Sequence, residues 1–437
     1  MNRKFLISRY PAYKDSGIEW IGEIPKYWEV KRINDIAVQQ KIKNAGLIEK
    51  NLLSLSYGKI KRKDFKSNFG LLPESFETYQ ITENGNIILR LTDLQNDKKS
   101  LRVGLVKERG IITSAYLCLH LFKYIDPVFA YYLFFTYDIC KVFYWFGGGL
   151  RQSMKFDDIK VLPFIIPPLN EQKAIANYLD TKTAQIDRQI DLLTEKAKLY
   201  NNLKQSLINE TVTRGLDKTV LMKDSGIEWI GEIPEHWRIY HLKNCVSLKI
   251  TDGPHETPNF TDNGVPFISA EAIQNGGVNF DSKRGYISEE TDKIYALKCK
   301  PRRDDIFIVK SGSTTGKIGY VSTDINFNIW SPLALVRANK INYSRYLFYF
   351  LSSSFFQKQV QMYWSLGTQP NIGMKVLENL QVIVPPLTEQ KEIADYLNTK
   401  TSQIDKIIET INTQIEKLKE LRKTLINDVV TGKIKVV

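Results

Sequence analysis

The chain is written twice, which restricts it to architectures built from two copies of one unit. KDSGIEWIGEIP occupies residues 14–25 and recurs letter for letter at 223–234, and a second tryptophan follows each copy, Trp28 and Trp237. Further on, PPLNEQKAIANYLDTKTAQID at 167–187 returns as PPLTEQKEIADYLNTKTSQID at 385–405. The first pair is offset by 209 residues and the second by 218, so one half holds nine more residues between its motifs. The 218 offset continues without a gap to LKQSLINETVT (203–213) and LRKTLINDVVT (421–431). Divergence is concentrated in residues 34–123 and 243–341, which share mainly apolar spacing. A retained frame under divergent segments is the pattern expected of two readers of different targets.

Each diverged segment holds short β-branched and aromatic runs separated by Gly, Asn, Asp and Pro, which predicts strands and turns. The clearest runs are VGLVKERGIITSAYLCLHLF at 103–122 and KIGYVSTDINFNIWSPLALV at 317–336. Gly85-Asn86-Ile87-Ile88 and Asp304-Asp305-Ile306-Phe307 read as one strand beneath two surfaces. An apolar aromatic helix is expected near 127–146 and again near 343–364. A Pro-Pro pair (167–168, 385–386) then opens a long helix, with Asn170 and Thr388 as expected N-caps.

Both long helices have coiled-coil spacing. Ile186, Leu193, Tyr200 and Leu207 occupy one seven-residue register, with Ile190 and Ala197 at the fourth position. The second copy has Ile404, Ile411, Leu418 and Leu425 with Ile408 and Ile415. A strict 3.5 period with charges between marks a helix pair, although two separate amphipathic helices would share it. Lys204 and Arg422 interrupt the fourth-position series, so the seam is expected to loosen there. Two copies about a pseudo-two-fold axis would run their helices antiparallel. At ~1.5 Å per residue, about thirty residues from Thr183 span roughly 45 Å, a ruler of one DNA turn or slightly more. The expected class is α+β: two tandem mixed α/β domains joined by two long helices in an antiparallel coiled coil. The expected segments are a first domain at 1–166, a helical spacer at 167–215, a second domain at 216–384 and a second spacer at 385–437.

Composition narrows the partner. With 43% hydrophobic and 11% aromatic residues among 437, the chain can bury substantial cores. Lys and Arg exceed Asp and Glu by 61 to 48, a formal charge of +13. That surplus favours a polyanion, nucleic acid or an anionic membrane surface, though a generally basic solvated surface gives the same count. No stretch reaches the ~20 apolar residues of a membrane span, and Phe5-Leu6-Ile7 is too short for a secretory core. Cys118, Cys140, Cys245 and Cys299 lie far apart with no CxxC pair. They read as reduced thiols of a cytoplasmic protein, and no zinc or other metal site is expected.

No catalytic constellation emerges. Gly312 to Gly316 and Lys317 resemble a phosphate loop, but one residue short and with Ile318 where a metal-binding hydroxyl belongs. Asp157 or Asp158 with Glu171-Gln172-Lys173 resembles a nuclease set, yet the second copy has Lys375 and Val376 in place of the aspartates. His120, His236, His241 and His255 show no ligand spacing, and no Asn/Asp-Pro-Pro-aromatic methyltransferase motif is present. Basic loops are more informative. Tyr57 is followed by Lys59, Lys61, Arg62 and Lys63; the loop from Arg90 to Arg102 carries Asp93, Gln95, Asn96, Lys98 and Lys99. The counterpart from Lys310 to Lys317 carries Ser311, Ser313, Thr314 and Thr315. Lys and Arg suit phosphates, and Arg, Gln and Asn suit base edges, although solvated turns have the same make-up.

At these motifs the sequence resembles the specificity subunits of Type I restriction-modification systems. GIEWIGEIP with its following Trp, GGLRQSMKFDDIKVLPFIIPPLNEQ (148–172), ITDGPHETP (250–258), KSGSTTGKIG (310–319) and PPLTEQ (385–390) carry the resemblance, which covers nearly the whole chain. It implies two target-recognition domains, each reading half of a split asymmetric site in double-stranded DNA, spaced by the coiled coil. It also implies that the chain is not an enzyme. Two methyltransferase subunits would dock on it, using S-adenosylmethionine to methylate an adenine in each half-site, and restriction subunits would join to cleave. No cofactor would be bound by this chain. By the same resemblance Asp252, Gly253, His255, Thr257, Arg151, Gln152, Gln369 and Asn371 join the basic loops as DNA-facing candidates. Glu171, Gln172, Lys173 and Glu389, Gln390, Lys391 repeat with their polar positions intact. They are candidates for docking the methyltransferase, the alternative being that they brace each helix start against its own domain. Two rival readings are a DNA-free coiled-coil scaffold and an enzyme of unrecognised chemistry.

Overall fold

The computed structural model describes residues 9–63, 75–94, 101–144, 153–366 and 369–436. It divides into two compact units that cut across the order of the sequence: Met1–Thr194 with Thr413–Val437, and Glu195–Asn412. Each unit thus combines one sheet domain with the beginning of one long helix and the end of the other.

A common frame recurs in both. In the first unit a hairpin pairs Tyr13–Asp15 with Glu23–Pro25, and Glu29–Arg32 runs antiparallel to Pro163–Ile166. In the second, Met222–Asp224 pairs with Glu232–Pro234, and Arg238–His241 with Gln381–Val384. The repeated tryptophans explain why the motif is kept. Trp28 and Trp237 are fully buried, and their indole N–H groups reach Glu171 at 3.3 Å and Glu389 at 2.9 Å, near the start of a long helix. Each ring also lies against the glycine that ends a helix: Gly432 beside Trp28 and Gly215 beside Trp237, both at positive φ. A side chain at Gly432 would meet Pro25 at 2.4 Å and Trp28 at 3.0 Å.

The diverged segments build unlike sheets on this frame. The first is four-stranded, in the order Ala37–Gln40, Leu117–Leu121, Ile87–Leu89, Val103–Leu105. The second is six-stranded, in the order Thr251–Asp252, Leu333–Val336, Ile306–Val309, Ile318–Tyr320, Gly277–Val278, Ile273–Gln274. The two runs that read as one strand, Ile87–Leu89 and Ile306–Val309, are both interior strands and fully buried. The first aromatic helix spans Pro127–Ile139, capped by Asp126. Its counterpart is not continuous: Ser344–Ser352 and Ser354–Tyr363 are separated at Ser353, whose extended backbone and hydroxyl cap the second piece.

The long helices are Leu169–Arg214 and Leu387–Val430. They start two residues earlier than the expected N-caps allow, so Asn170 and Thr388 lie inside the first turn and are not the caps. The Pro168 carbonyl instead accepts the N–H groups of Glu171 and Gln172, and Pro386 accepts that of Gln390. In each unit taken by itself the helices run antiparallel. The first core joins Ile175 and Leu179, near one helix start, to Ile426 and Val429, near the other helix end. The second joins Ile393 and Leu397 to Ile208 and Val212. The interruptions of the seam are filled, not loosened: Lys204 Nζ lies 2.7 Å from Asp405, and Arg422 Nε lies 2.9 Å from Asp187. These pairs are equivalent under the repeat, and a charged pair at a seam position favours one register over its heptad-shifted alternatives.

All four cysteines are free, and burial pushes the Cys118, Cys245 and Cys299 thiols up to about 12. Among the described residues no helix is long and apolar enough to cross a membrane.

Candidate nucleic-acid interface

In the first unit the basic run forms a hairpin, Leu53–Ser56 with Lys59–Arg62. Its two-residue turn places Tyr57 and Gly58 at φ +49° and +73°, the left-handed pair that suits the twist of a tight hairpin. Strand alternation sorts the side chains: Leu55 and Ile60 lie over Gly104, where a Cβ would meet them at 2.7 and 2.8 Å. Lys59, Lys61 and Lys63 share the opposite parity and are exposed, and Tyr57 at the tip is 87% exposed. Arg62 is held by Glu108, its Nε 2.7 Å from a carboxylate oxygen, and Lys59 Nζ stands 3.6 Å from Asp187 of the first long helix. The result is a ribbon with an apolar underside and a cationic outer face, a shape that fits a groove of duplex DNA.

Arg102 does not belong to this face. Its side chain is fully buried, and its guanidinium donates to the carbonyls of Arg90 (3.0 Å), Thr92 (2.8 Å) and Asp93 (3.3 Å) and to the Tyr144 hydroxyl (2.9 Å). A single guanidinium thus ties three carbonyls of one loop together, a task its fork of donors suits. Arg90 is half-buried, its N–H bonded to the Arg102 carbonyl. Gln95, Asn96, Lys98, Lys99, Arg151 and Gln152 lie outside the described residues.

In the second unit the structure draws together three motifs far apart in sequence. Asp252 ends an edge strand and is buried; its Oδ1 lies 2.6 Å from Lys298 Nζ, and its Oδ2 lies 3.0 Å from Lys310 Nζ and 3.1 Å from His255 Nε2. Burial alone would raise its pKa, but hydrogen bonds and charge from Lys298 and Lys310 outweigh that and hold the carboxyl below its ordinary value. Gly253 permits the arrangement, because a Cβ there would stand 1.9 Å from the Ile329 carbonyl oxygen.

The Lys310–Lys317 loop is stitched to residues 370–372: Gly312 N donates to the Pro370 carbonyl, Ile372 N to the Lys310 carbonyl, and Thr315 Oγ1 to Pro370 at 2.9 Å. Ser311 bridges to Asn371. Around this rim His255, Thr257, Thr314, Lys317, Gln369 and Asn371 are exposed. The loop leads into the strand Ile318–Tyr320 and so lacks the helix N-terminus on which a nucleotide phosphate loop depends. Nothing in the sequence marks Lys298: it stands 46 residues from Asp252 in a locally ordinary Leu-Lys-Cys, and only the fold joins them.

The repeated helix starts hold two kinds of side chain, engaged and exposed. Gln172 accepts from Asp126 N (2.8 Å) and donates to the Tyr124 and Pro167 carbonyls; Gln390 accepts from Tyr343 N (2.7 Å) and donates to the Ile341 and Pro385 carbonyls. Glu171 accepts from Tyr10, Tyr27 and Trp28, and Glu389 is engaged by His236 and Trp237. These four side chains brace each helix start against its own domain; Glu171, Gln172 and Gln390 are buried and Glu389 is half-buried. Lys173 and Lys391 are the exposed members of the motif. The nuclease-like set is dispersed in the same way: Asp157 pairs with Lys160, and Asp158 accepts from the Lys155 N–H.

Residues 25–198 and 234–417 each match the family model of the Type I restriction modification DNA specificity domain. The chain belongs to that family. One copy of the specificity domain falls in each half of the repeat. The MjaVIII specificity subunit of Methanocaldococcus jannaschii is 26% identical over 428 residues, covering 94% of each chain. The EcoBI specificity subunit of Escherichia coli is 28% identical over 276 residues, 62% of this chain and 58% of its own. Among solved structures, one from a study of complex assembly and conformational transition in the type I R-M system is similar at a TM-score of 0.70 and 18% identity. It covers 94% of this chain and 99% of its own. The HsdS subunit from Thermoanaerobacter tengcongensis is similar at 0.51 and 17% identity, covering 94% and 98%. At such identities these two likenesses speak for the specificity-subunit fold alone.

Proposed function

We propose that the chain is the DNA-reading subunit of a Type I restriction-modification complex and that each unit reads one half of a bipartite, asymmetric site. The observation that carries this is one frame bearing two unlike polar surfaces, a lysine-faced ribbon in the first unit and the Asp252-centred rim in the second. Identical frames give equivalent placement, and unlike surfaces give unlike half-sites. The chain performs no chemistry and holds no cofactor; methylation belongs to two partner methyltransferase subunits that use S-adenosylmethionine, and cleavage to restriction subunits. Lys173 and Lys391 are the exposed positions from which the repeated helix starts contact the methyltransferase.

Mapping methylated adenines in cells with and without the chain tests the reading; a split motif that disappears with the chain is expected. The purified chain should also bind duplex DNA with an affinity that falls steeply as salt rises, because neutralised phosphates release counterions. Failure to bind any duplex at low salt would favour the DNA-free scaffold instead.

A further inference from the structure

Asp252 is the least suited of the rim residues to touch DNA. It is buried, both its oxygens are engaged by cations, and a carboxylate facing a phosphate would be repelled. Its three partners differ in what they leave open. Lys310 is nearly enclosed, its side chain 13% exposed, whereas Lys298 is 47% and His255 69% exposed. One carboxylate faces two ammoniums, so the cluster keeps a positive surplus before His255 is counted. The Lys298 ammonium donates to Asp252 Oδ1 and, at 2.9 Å, to the Gly253 carbonyl. An ammonium has three donors, and the third remains for a ligand. A long, flexible lysine held at two points is an oriented charge, which loses less entropy on meeting a fixed anion than a free one.

We propose that Lys298 contacts a backbone phosphate of the DNA half-site read by the second unit, and that Asp252 is a positioning residue that aims it without touching DNA. The inference rests on the DNA-reading function above and adds a specific subsite to it. The carboxylate, the glycine whose backbone packs against the Ile329 carbonyl and the lysine that follows the short helix Glu289–Ala296 act as one device.

The test uses the full-length chain and a duplex carrying the motif found by methylation mapping, with affinity measured across a salt series. Lys298→Gln should weaken binding several-fold and reduce the slope of log affinity against log salt by about 0.9, the loss of one phosphate contact. Its melting temperature should stay near the parent's, since the side chain is half exposed. Asp252→Asn should also weaken binding, and in the Lys298→Gln background it should add little, because both changes disable the same contact. If Asp252→Asn does not fold, the slope of Lys298→Gln still decides the lysine's role. A Lys298→Gln slope equal to the parent's would overturn the proposal, and strictly additive losses would overturn the positioning role of Asp252. A parent chain whose affinity is indifferent to salt would instead overturn the DNA reading on which the proposal rests.

Discussion

Arg102 and the Arg337–Asp305 pair show how far a single cation supports each sheet domain. Arg337 meets Asp305 through two hydrogen bonds of 2.7 Å, and Asp305 is fully buried. Arg102 works on neutral groups, closing the Arg90–Asp93 bend, whose Asp93 sits at φ +56°. Replacing it removes the hydrogen bonds to these three carbonyls, each worth about 0.5–1.5 kcal/mol. Arg102→Met is therefore expected to lower the stability of the first unit by ~3 kcal/mol, read as a shifted urea midpoint. A DNA-contact role alone would leave that midpoint unchanged. Its sequence neighbours, Lys98, Lys99 and Ser100, suggest a solvated turn; the partners that bury it, Tyr144 and the Asp138 carboxylate that accepts its N–H, arrive about forty residues later. Local composition carries no sign of such a contact.

The paired helices were legible because a 3.5-residue period survives any surface decoration. Ile186, Ala197, Ile404, Ile411 and Ile415 are buried as that period requires. What the period could not convey was the use made of its gaps. Lys204 and Arg422 read as faults, yet each finds an aspartate on the other helix within its own unit. Reversing Lys204 to Asp should cost about 1 kcal/mol, and adding Asp405→Lys should restore all but ~0.5 kcal/mol of it in thermal melts, the signature of a direct pair. The helix starts divide in the same physical way. Gln172→Leu or Gln390→Leu strands the Asp126 or Tyr343 N–H in the interior and should cost ~2–3 kcal/mol. Charge reversal at Lys173 and Lys391 should leave melting unchanged and reduce the methyltransferase that co-purifies. Repetition alone could not separate these roles, because a buried polar brace and a docking surface leave the same letters behind.

At the scale of the molecule, the two halves share a frame and differ in the sheets and loops built on it. Exchanging residues 34–123 for the matching segment of a relative should change one half of the methylated motif and leave the other intact, as read by sequencing methylated adenines. Change in both halves would mean that the segments do not read independently. The first unit is assembled from both extremes of the sequence: Tyr13 donates to the Gly432 carbonyl at 3.2 Å, and Gly432 closes over Trp28 as Gly215 does over Trp237. In the second unit that same junction is an ordinary peptide continuation, running from Gly215 through a short link to Met222. The fold therefore treats as interchangeable a junction bridged by covalent bonds and one that is not. A circular permutant, its old ends joined by a short linker and its new ends opened near Asp217, should fold to the same stability and direct methylation to the same motif.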